Sequence, residues 1–127
     1  MKGLSAQVSK LKSIGGEIRV DELGRVTEVN WAGVGVIDAD LVLLKAQHEL
    51  ATLFLSNTRV TDAGLEHLAA LPNLRVLGLA QTQVSDAGLV ALRQFKNLRK
   101  VYLFRSRVTE AGVKDFQRAV PGCVVEY

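Results

Sequence analysis

The stretch NTRVTDAGLEHLAALPNLRVLGLA, residues 57–80, decides the fold because the chain repeats it. QTQVSDAGLVALRQFKNLRKVYLF follows at 81–104, and RSRVTEAGVKDFQRAVPGCVVEY follows more loosely at 105–127. A fixed period of 24 residues is typical of repeat architectures, in which each unit buries its apolar face only by stacking on a neighbour.

The apolar positions of the repeat define four units. Leucines lead units that start near residues 50, 74 and 98, and a more degenerate copy starts near residue 26. That first copy has Val34 and Ile37 where the others have Thr or Ser, and Asp40 where the others have Gly. Terminal repeats are often atypical because one side has no repeat to stack on.

Each unit contains two periodicities. The segments LATLFL and LRVLGL alternate as strands do, whereas DAGLEHLAALPN places Leu65, Leu68 and Leu71 three residues apart, as on one side of a helix. A strand followed by a helix in every unit predicts a parallel sheet with helices on one side only. The fold class is therefore α/β.

The turn between strand and helix carries small polar residues at fixed positions. We expect the hydroxyls of Thr58, Thr82 and Ser106 to point inward and satisfy backbone groups of the turn. We expect the hydroxyls of Thr61, Ser85 and Thr109 to cap the helices by accepting from free N–H groups. Each cap is followed by an acidic residue, whose negative charge is favourable at the positive end of the helix dipole. The glycines allow close helix packing. These sets are Thr58, Thr82 and Ser106; Thr61, Ser85 and Thr109; Asp62, Asp86 and Glu110; and Gly64, Gly88 and Gly112.

Both ends of the chain differ from the repeats. Leu4, Val8 and Leu11 share one helical face before Gly15, and a hairpin is predicted around residues 21–24. We therefore interpret residues 1–25 as an N-terminal cap and residues 123–127 as a last strand. The whole chain, 1–127, is predicted to be one domain.

At these positions the chain resembles the leucine-rich repeats. The units are similar to the bacterial pattern LxxLxLxxTxVTDAGLxxLxxL, which is related to the cysteine-containing repeats of F-box-type adaptors. The resemblance covers residues 26–127. It implies a solenoid with the parallel sheet on the concave face and the helices on the convex face, a protein-binding role, no catalysis and no cofactor.

Composition narrows the function classes. Net charge is +3, which is weak support for a nucleic-acid partner, and no apolar run is long enough for a membrane span. No signal peptide is seen in the sequence as written, which favours a cytoplasmic location. His48, His67 and the lone Cys123 lie in no metal-ligand or catalytic pattern, and the repeated acids are better explained as helix-start residues than as a metal site.

Outward strand positions predict a contact surface. The central column is Asn30, Phe54, Gly78 and Tyr102, where Gly78 and Ala80 would leave a shallow dip between the two aromatic rings. Aromatic residues and arginine dominate binding energy at protein interfaces. Alternatively, the aromatic rings pack on neighbouring side chains and the cations only solubilise an end strand. The predicted partner-binding residues are Asn30, Phe54, Arg99, Lys100, Tyr102, Phe104 and Arg105.

Three functions fit this sequence. The first is a non-enzymatic module that binds an unknown protein partner on its concave face, as a monomer or weak oligomer. The second is nucleic-acid binding through the basic C-terminal end, with Tyr102 or Phe104 stacking on bases. The third is a purely structural scaffold.

Overall fold

One six-stranded sheet runs through the molecule. The computed structural model describes the backbone of residues 2–127 and the side chains of residues 6–127. Strand β1 pairs antiparallel with β2, and every later pair is parallel, in the order β1 to β6. The strands are β1 Glu17–Val20, β2 Val26–Asn30, β3 Thr52–Phe54, β4 Val76–Gly78, β5 Lys100–Tyr102 and β6 Val124–Glu126.

The register of the parallel strands follows the 24-residue period. Asn30 pairs with Phe54, Phe54 with Gly78, and Gly78 with Tyr102. Glu126 of β6 continues this column by pairing with Tyr102. Equivalent residues of successive repeats therefore stand side by side across the sheet.

Helices connect the parallel strands, but most of them are short. The connection from β3 to β4 has only one α-helical turn before it becomes a 3₁₀ helix, and the first copy forms a 3₁₀ helix alone. Leucines spaced by three suit the three residues per turn of a 3₁₀ helix better than the 3.6 of an α-helix. The helices are α1 Lys2–Ile14, the 3₁₀ helix Asp38–Leu44, α2 Asp62–Leu65, the 3₁₀ helix Glu66–Leu68, α3 Asp86–Leu92 and α4 Glu110–Ala119.

The N-terminal segment packs on the repeats. Helix α1 ends at Ile14, as the two glycines predict, and both Gly15 and Gly16 have positive φ. Leu11 is buried, and Val8 packs on the core from the same helix face. The side chain of Leu4, predicted to share this face, lies outside the described residues.

A continuous apolar core lies between the sheet and the helices. The strand leucines and valines that face the helices are buried, and so are the first leucines of the helices. Trp31, at a position where the later repeats have Leu, is also fully buried and approaches Gly16 next to β1. Stacking thus buries what one unit leaves exposed.

The predicted hydroxyl ladder in the turns is confirmed. Thr58 and Thr82 are buried, and each Oγ1 donates to the carbonyl three residues earlier, at 2.6 and 2.7 Å. Ser106 makes the same contact with the Leu103 carbonyl at 2.7 Å. These hydroxyls satisfy carbonyls that leave the strand ladder at the turn.

The predicted helix caps at Thr61 and Ser85 are wrong, because their hydroxyls bond elsewhere. The hydroxyl of Thr61 donates to the carboxylate of Asp38 in the preceding repeat, and the Thr61 N–H donates to the other carboxylate oxygen at 2.8 Å. Ser85 bonds to Asp62 in the same way. Thr109 bonds to Asp86 and also accepts from Gly112 N–H, so the prediction is confirmed only there.

These acids form a carboxylate ladder, which consists of Asp38, Asp62 and Asp86. Each carboxylate bridges to the next repeat, a role beyond the predicted interaction with the helix dipole. Glu110, the next acid in this column, pairs instead with Lys114 of its own helix at 3.3 Å.

The carboxylate ladder also explains the repeated glycines. A Cβ at Gly64, Gly88 or Gly112 would collide with the aspartate of the preceding repeat. Glycine is therefore required wherever a carboxylate from the previous unit occupies this space. Asp40 replaces glycine in the first copy, which no carboxylate of an earlier repeat contacts.

Candidate functional site

The sheet has one face away from the helices, which we call the open sheet face. Its central column is Asn30, Phe54, Gly78, Tyr102 and Glu126, and the column beside it contains Glu28, Thr52, Val76, Lys100 and Val124. These positions alternate with the buried valines and leucines of the core, as expected for strands covered on one side. Register thus brings Phe54 and Tyr102 to the same face.

The predicted dip between Phe54 and Tyr102 is not present in the expected form. A Cβ at Gly78 would lie 2.8 Å from Cδ1 of Phe54, so the Phe54 ring leans onto the glycine. Gly78 is buried as a result, and Phe54 is only half-exposed. The Phe54 ring therefore covers the backbone of Gly78 and not a neighbouring side chain at this contact.

Lys100 is less available as a cation than the sequence suggests. Its Nζ lies 3.3 Å from a carboxylate oxygen of Glu126 and 5.3 Å from the centroid of the Tyr102 ring. Counting 24 residues on from Tyr102 reaches Glu126, so the repeat period was the signal that could have identified this pair. The basic end of the sheet is thus partly neutralised by the last strand.

The remaining predicted contact residues occupy different surroundings. Phe104 is 47% exposed just after β5, and Arg99 and Arg105 are exposed on either side of that strand. Asn30 is half-buried, and its Oδ1 accepts from the Ala32 N–H at 3.1 Å. Phe104, Arg99 and Arg105 are therefore the most accessible members of the set, whereas Asn30 also shapes the local turn.

Arg105 has an unusual backbone conformation. Its φ is 57°, and the equivalent residues Asn57 and Gln81 both have φ of 56°. Gly33 occupies the same position in the first copy, with φ of 74°. The turns that follow β2, β3, β4 and β5 therefore each use a left-handed residue at the same position of the repeat.

The only cysteine has the properties of a core thiol. Cys123 is 5% exposed, and burial raises the pKa of its thiol to about 11, with a smaller opposing effect of Arg99. A thiol with this pKa is protonated at neutral pH and is a poor nucleophile. Among residues 2–127, no helix combines the length and hydrophobicity needed to cross a bilayer.

Solved structures show which known proteins share this architecture. The chain is similar over 98% of its length to actin-binding site 2 of leiomodin-1, with a TM-score of 0.64 and 17% identity, and it covers 78% of that structure. Over 84% of its length it is similar to internalin C2 of Listeria monocytogenes, with a TM-score of 0.57 and 17% identity. The fold is leucine-rich-repeat-like.

The chain is also similar to a second internalin of the same bacterium, inlF, with a TM-score of 0.54 and 14% identity over 84% of its length. The leucine-rich-repeat-like chain spans 55% of internalin C2 and 37% of inlF. No protein-family model matches the chain, and no curated protein matches it closely.

Proposed function

We propose that this chain is a non-enzymatic protein-interaction module that binds a protein partner on its open sheet face. In this proposal the open sheet face is the concave face of an arc, and residues 1–25 cap one end. The contact residues are Asn30, Phe54, Arg99, Lys100, Tyr102, Phe104 and Arg105. Cytoplasmic location and a monomeric or weakly oligomeric state remain part of the proposal.

One observation carries the proposal: aromatic side chains lie on the open sheet face, which no helix covers among the described residues 2–127. Tyr102 and Phe104 lie at the end of β5, and register places Phe54 on the same face two strands away. Phe104 is 47% exposed. An exposed aromatic side chain can contribute strongly to binding, because a partner would bury it at the interface. The leiomodin-1 structure with the same fold is an actin-binding site.

The test is capture of the partner from the native source by two matched variants. The first is Phe54→Ala/Tyr102→Ala/Phe104→Ala. The control is Leu23→Ala/Val42→Ala/Val90→Ala, which truncates three exposed apolar side chains, one in the turn between β1 and β2 and two on helices. Circular dichroism first establishes that both are folded.

We expect a protein that wild type and the control capture and the aromatic variant loses. Equal capture by the aromatic variant would contradict the proposal and place the contact on the helices or the ends. Capture of nucleic acid in place of protein, with a steep decrease as salt is raised, would favour the nucleic-acid alternative.

A further inference from the structure

Two rows of exposed polar residues run along the turns that follow β3, β4 and β5. The first row contains the left-handed residues Asn57, Gln81 and Arg105; the second contains Arg59, Gln83 and Arg107. We call these six residues the turn surface. All six are exposed, and none of them is acidic.

Backbone hydrogen bonds hold both rows in register. In the first row, the Asn57 N–H donates to the Ala80 carbonyl at 2.8 Å and the Gln81 N–H donates to the Phe104 carbonyl at 2.7 Å. In the second row, Gln83 N–H donates to the Val60 carbonyl at 3.1 Å and Arg107 N–H donates to the Val84 carbonyl at 2.8 Å. Neighbouring members are thus separated by about the 4.8 Å of adjacent strands, and each row spans about 10 Å.

No ion pair among residues 6–127 involves Arg59, Arg105 or Arg107, whereas Lys100 nearby is paired with Glu126. The charge of the chain is also uneven. Residues 74–127 contain nine Lys or Arg and four Asp or Glu, whereas residues 1–73 contain seven and nine.

The chemistry of the turn surface indicates which ligand it fits. Guanidinium groups form two parallel hydrogen bonds with a carboxylate, and the amides of Asn57, Gln81 and Gln83 can both donate to and accept from a peptide backbone. Phe104 supplies an apolar contact beside Arg105. A single-stranded nucleic acid would instead be expected to need a series of aromatic rings for its bases, and the six residues of the turn surface include none.

We propose that the turn surface binds an extended, acidic peptide segment of the partner, with carboxylates on Arg59, Arg105 and Arg107. An extended peptide advances about 3.3 Å per residue, so roughly four residues cover the rows. This inference rests on the proposed function, since it assumes a protein partner. It adds the chemistry of the partner and extends the contact from the open sheet face to the turns.

The probe is a labelled peptide of about ten residues, half of them glutamate, measured by fluorescence anisotropy. The same peptide with glutamine in place of glutamate and a labelled single-stranded oligonucleotide of about ten nucleotides serve as comparison ligands. The test variant is Arg59→Gln/Arg105→Gln/Arg107→Gln. The matched control, Lys45→Gln/Arg93→Gln/Lys96→Gln, removes the same charge from exposed residues that make no ion pair within residues 6–127.

We expect the acidic peptide to bind wild type better than its glutamine version at about 50 mM NaCl, where screening is weak. The test variant should lose affinity by about tenfold, because three charge-assisted contacts disappear, and the control by about twofold or less. Equal losses in both variants would show that only net charge matters and would overturn the inference.

Two further outcomes would also overturn it. One is no binding of the acidic peptide to wild type, and the other is tighter binding of the oligonucleotide with the same dependence on the three arginines. Neither outcome decides the proposed function, because capture of a partner through Phe54, Tyr102 and Phe104 is measured separately. If the aromatic variant fails to capture the partner and the acidic peptide does not bind wild type, the open sheet face remains the contact and only the proposed role of the turn surface is wrong.

Discussion

The inner side of the repeat turns and the open sheet face belong to the same repeats, yet only the first is chemically constant. The turns repeat a buried hydroxyl and a bridging carboxylate in successive units. The open sheet face changes from Asn30 to Phe54, Gly78, Tyr102 and Glu126 along one column. Stacking therefore dictates the residues of the turns, whereas it leaves the open sheet face free to vary with a partner.

The first and second repeats sharpen this comparison. In the second repeat Gly64 lies against Asp38, and in the first repeat the equivalent residue is Asp40, whose carboxylate accepts from the Ile37 N–H at 2.9 Å. The glycine is thus a consequence of the preceding repeat and not of the helix that contains it.

The largest effect is expected where a carboxylate meets a glycine. The three heavy atoms nearest to a Cβ added to Gly112 all belong to the Asp86 carboxylate group. Gly112→Ala should cost about 2 kcal/mol through this overlap, and Asp86→Ala about 2 kcal/mol through two lost hydrogen bonds. Urea denaturation of the double variant should give a loss at least about 1 kcal/mol smaller than the sum, because the overlap disappears with the carboxylate.

Additive losses in this cycle would contradict the proposed origin of the repeated glycines. The exposed Ala111 next to Gly112 offers a control, since Ala111→Ser combined with Asp86→Ala should be additive.

A smaller effect is expected from protonation of Asp86. The hydroxyl of Thr109 and then its N–H donate to this carboxylate and hold its pKa below the ordinary 3.8. The resulting stability is present at pH above the ordinary value and is lost as pH falls through the lower folded pKa. The difference in Tm between wild type and Asp86→Asn should therefore become smaller as the pH is lowered from about 6 to about 3. A difference in Tm that stays constant over this range would contradict the linkage.

The smallest effect is expected at the left-handed residues. The left-handed conformation destabilises the folded state by roughly 1 kcal/mol when the residue is not glycine. Glycine avoids this strain, and the backbone entropy that it loses on folding costs somewhat less. Gln81→Gly should therefore be neutral or stabilising by up to about 0.5 kcal/mol. Ala63→Gly, at an exposed helical position, should lose about 1 kcal/mol in the same denaturation experiment; equal losses would contradict the left-handed requirement.

The repeat period predicted the strands β2 to β5, their parallel order and their register, whereas the antiparallel β1 followed from the predicted hairpin around residues 21–24. The inward hydroxyls of Thr58 and Thr82 were also predictable, because both partners lie within one turn. The roles of Thr61 and Ser85 were not, since their carboxylate partners lie 23 residues earlier and become neighbours only after stacking.

The candidate site was predictable to a smaller extent. Register correctly gathered Phe54 and Tyr102 on one face, but side-chain direction decides that the Phe54 ring covers Gly78. The pairing of Lys100 with Glu126 depends on a last strand whose sequence has lost most of the repeat pattern. The direction of the Phe54 ring follows from packing, whereas the Lys100–Glu126 pair follows from the 24-residue spacing of Tyr102 and Glu126 once residues 123–127 are taken as the last strand.

The most direct test of the division between constant and variable positions compares two variants by thermal unfolding. Arg99→Gln/Phe104→Ala/Arg105→Gln changes exposed residues of the proposed contact surface, and Thr58→Val/Thr82→Val removes two buried hydroxyls from the turns. We predict that the first variant unfolds within about 3 °C of wild type and that the second loses about 8 °C, which corresponds to about 2 kcal/mol in a domain of this size. An equal loss in the first variant would show that these exposed residues serve the fold and would contradict the account.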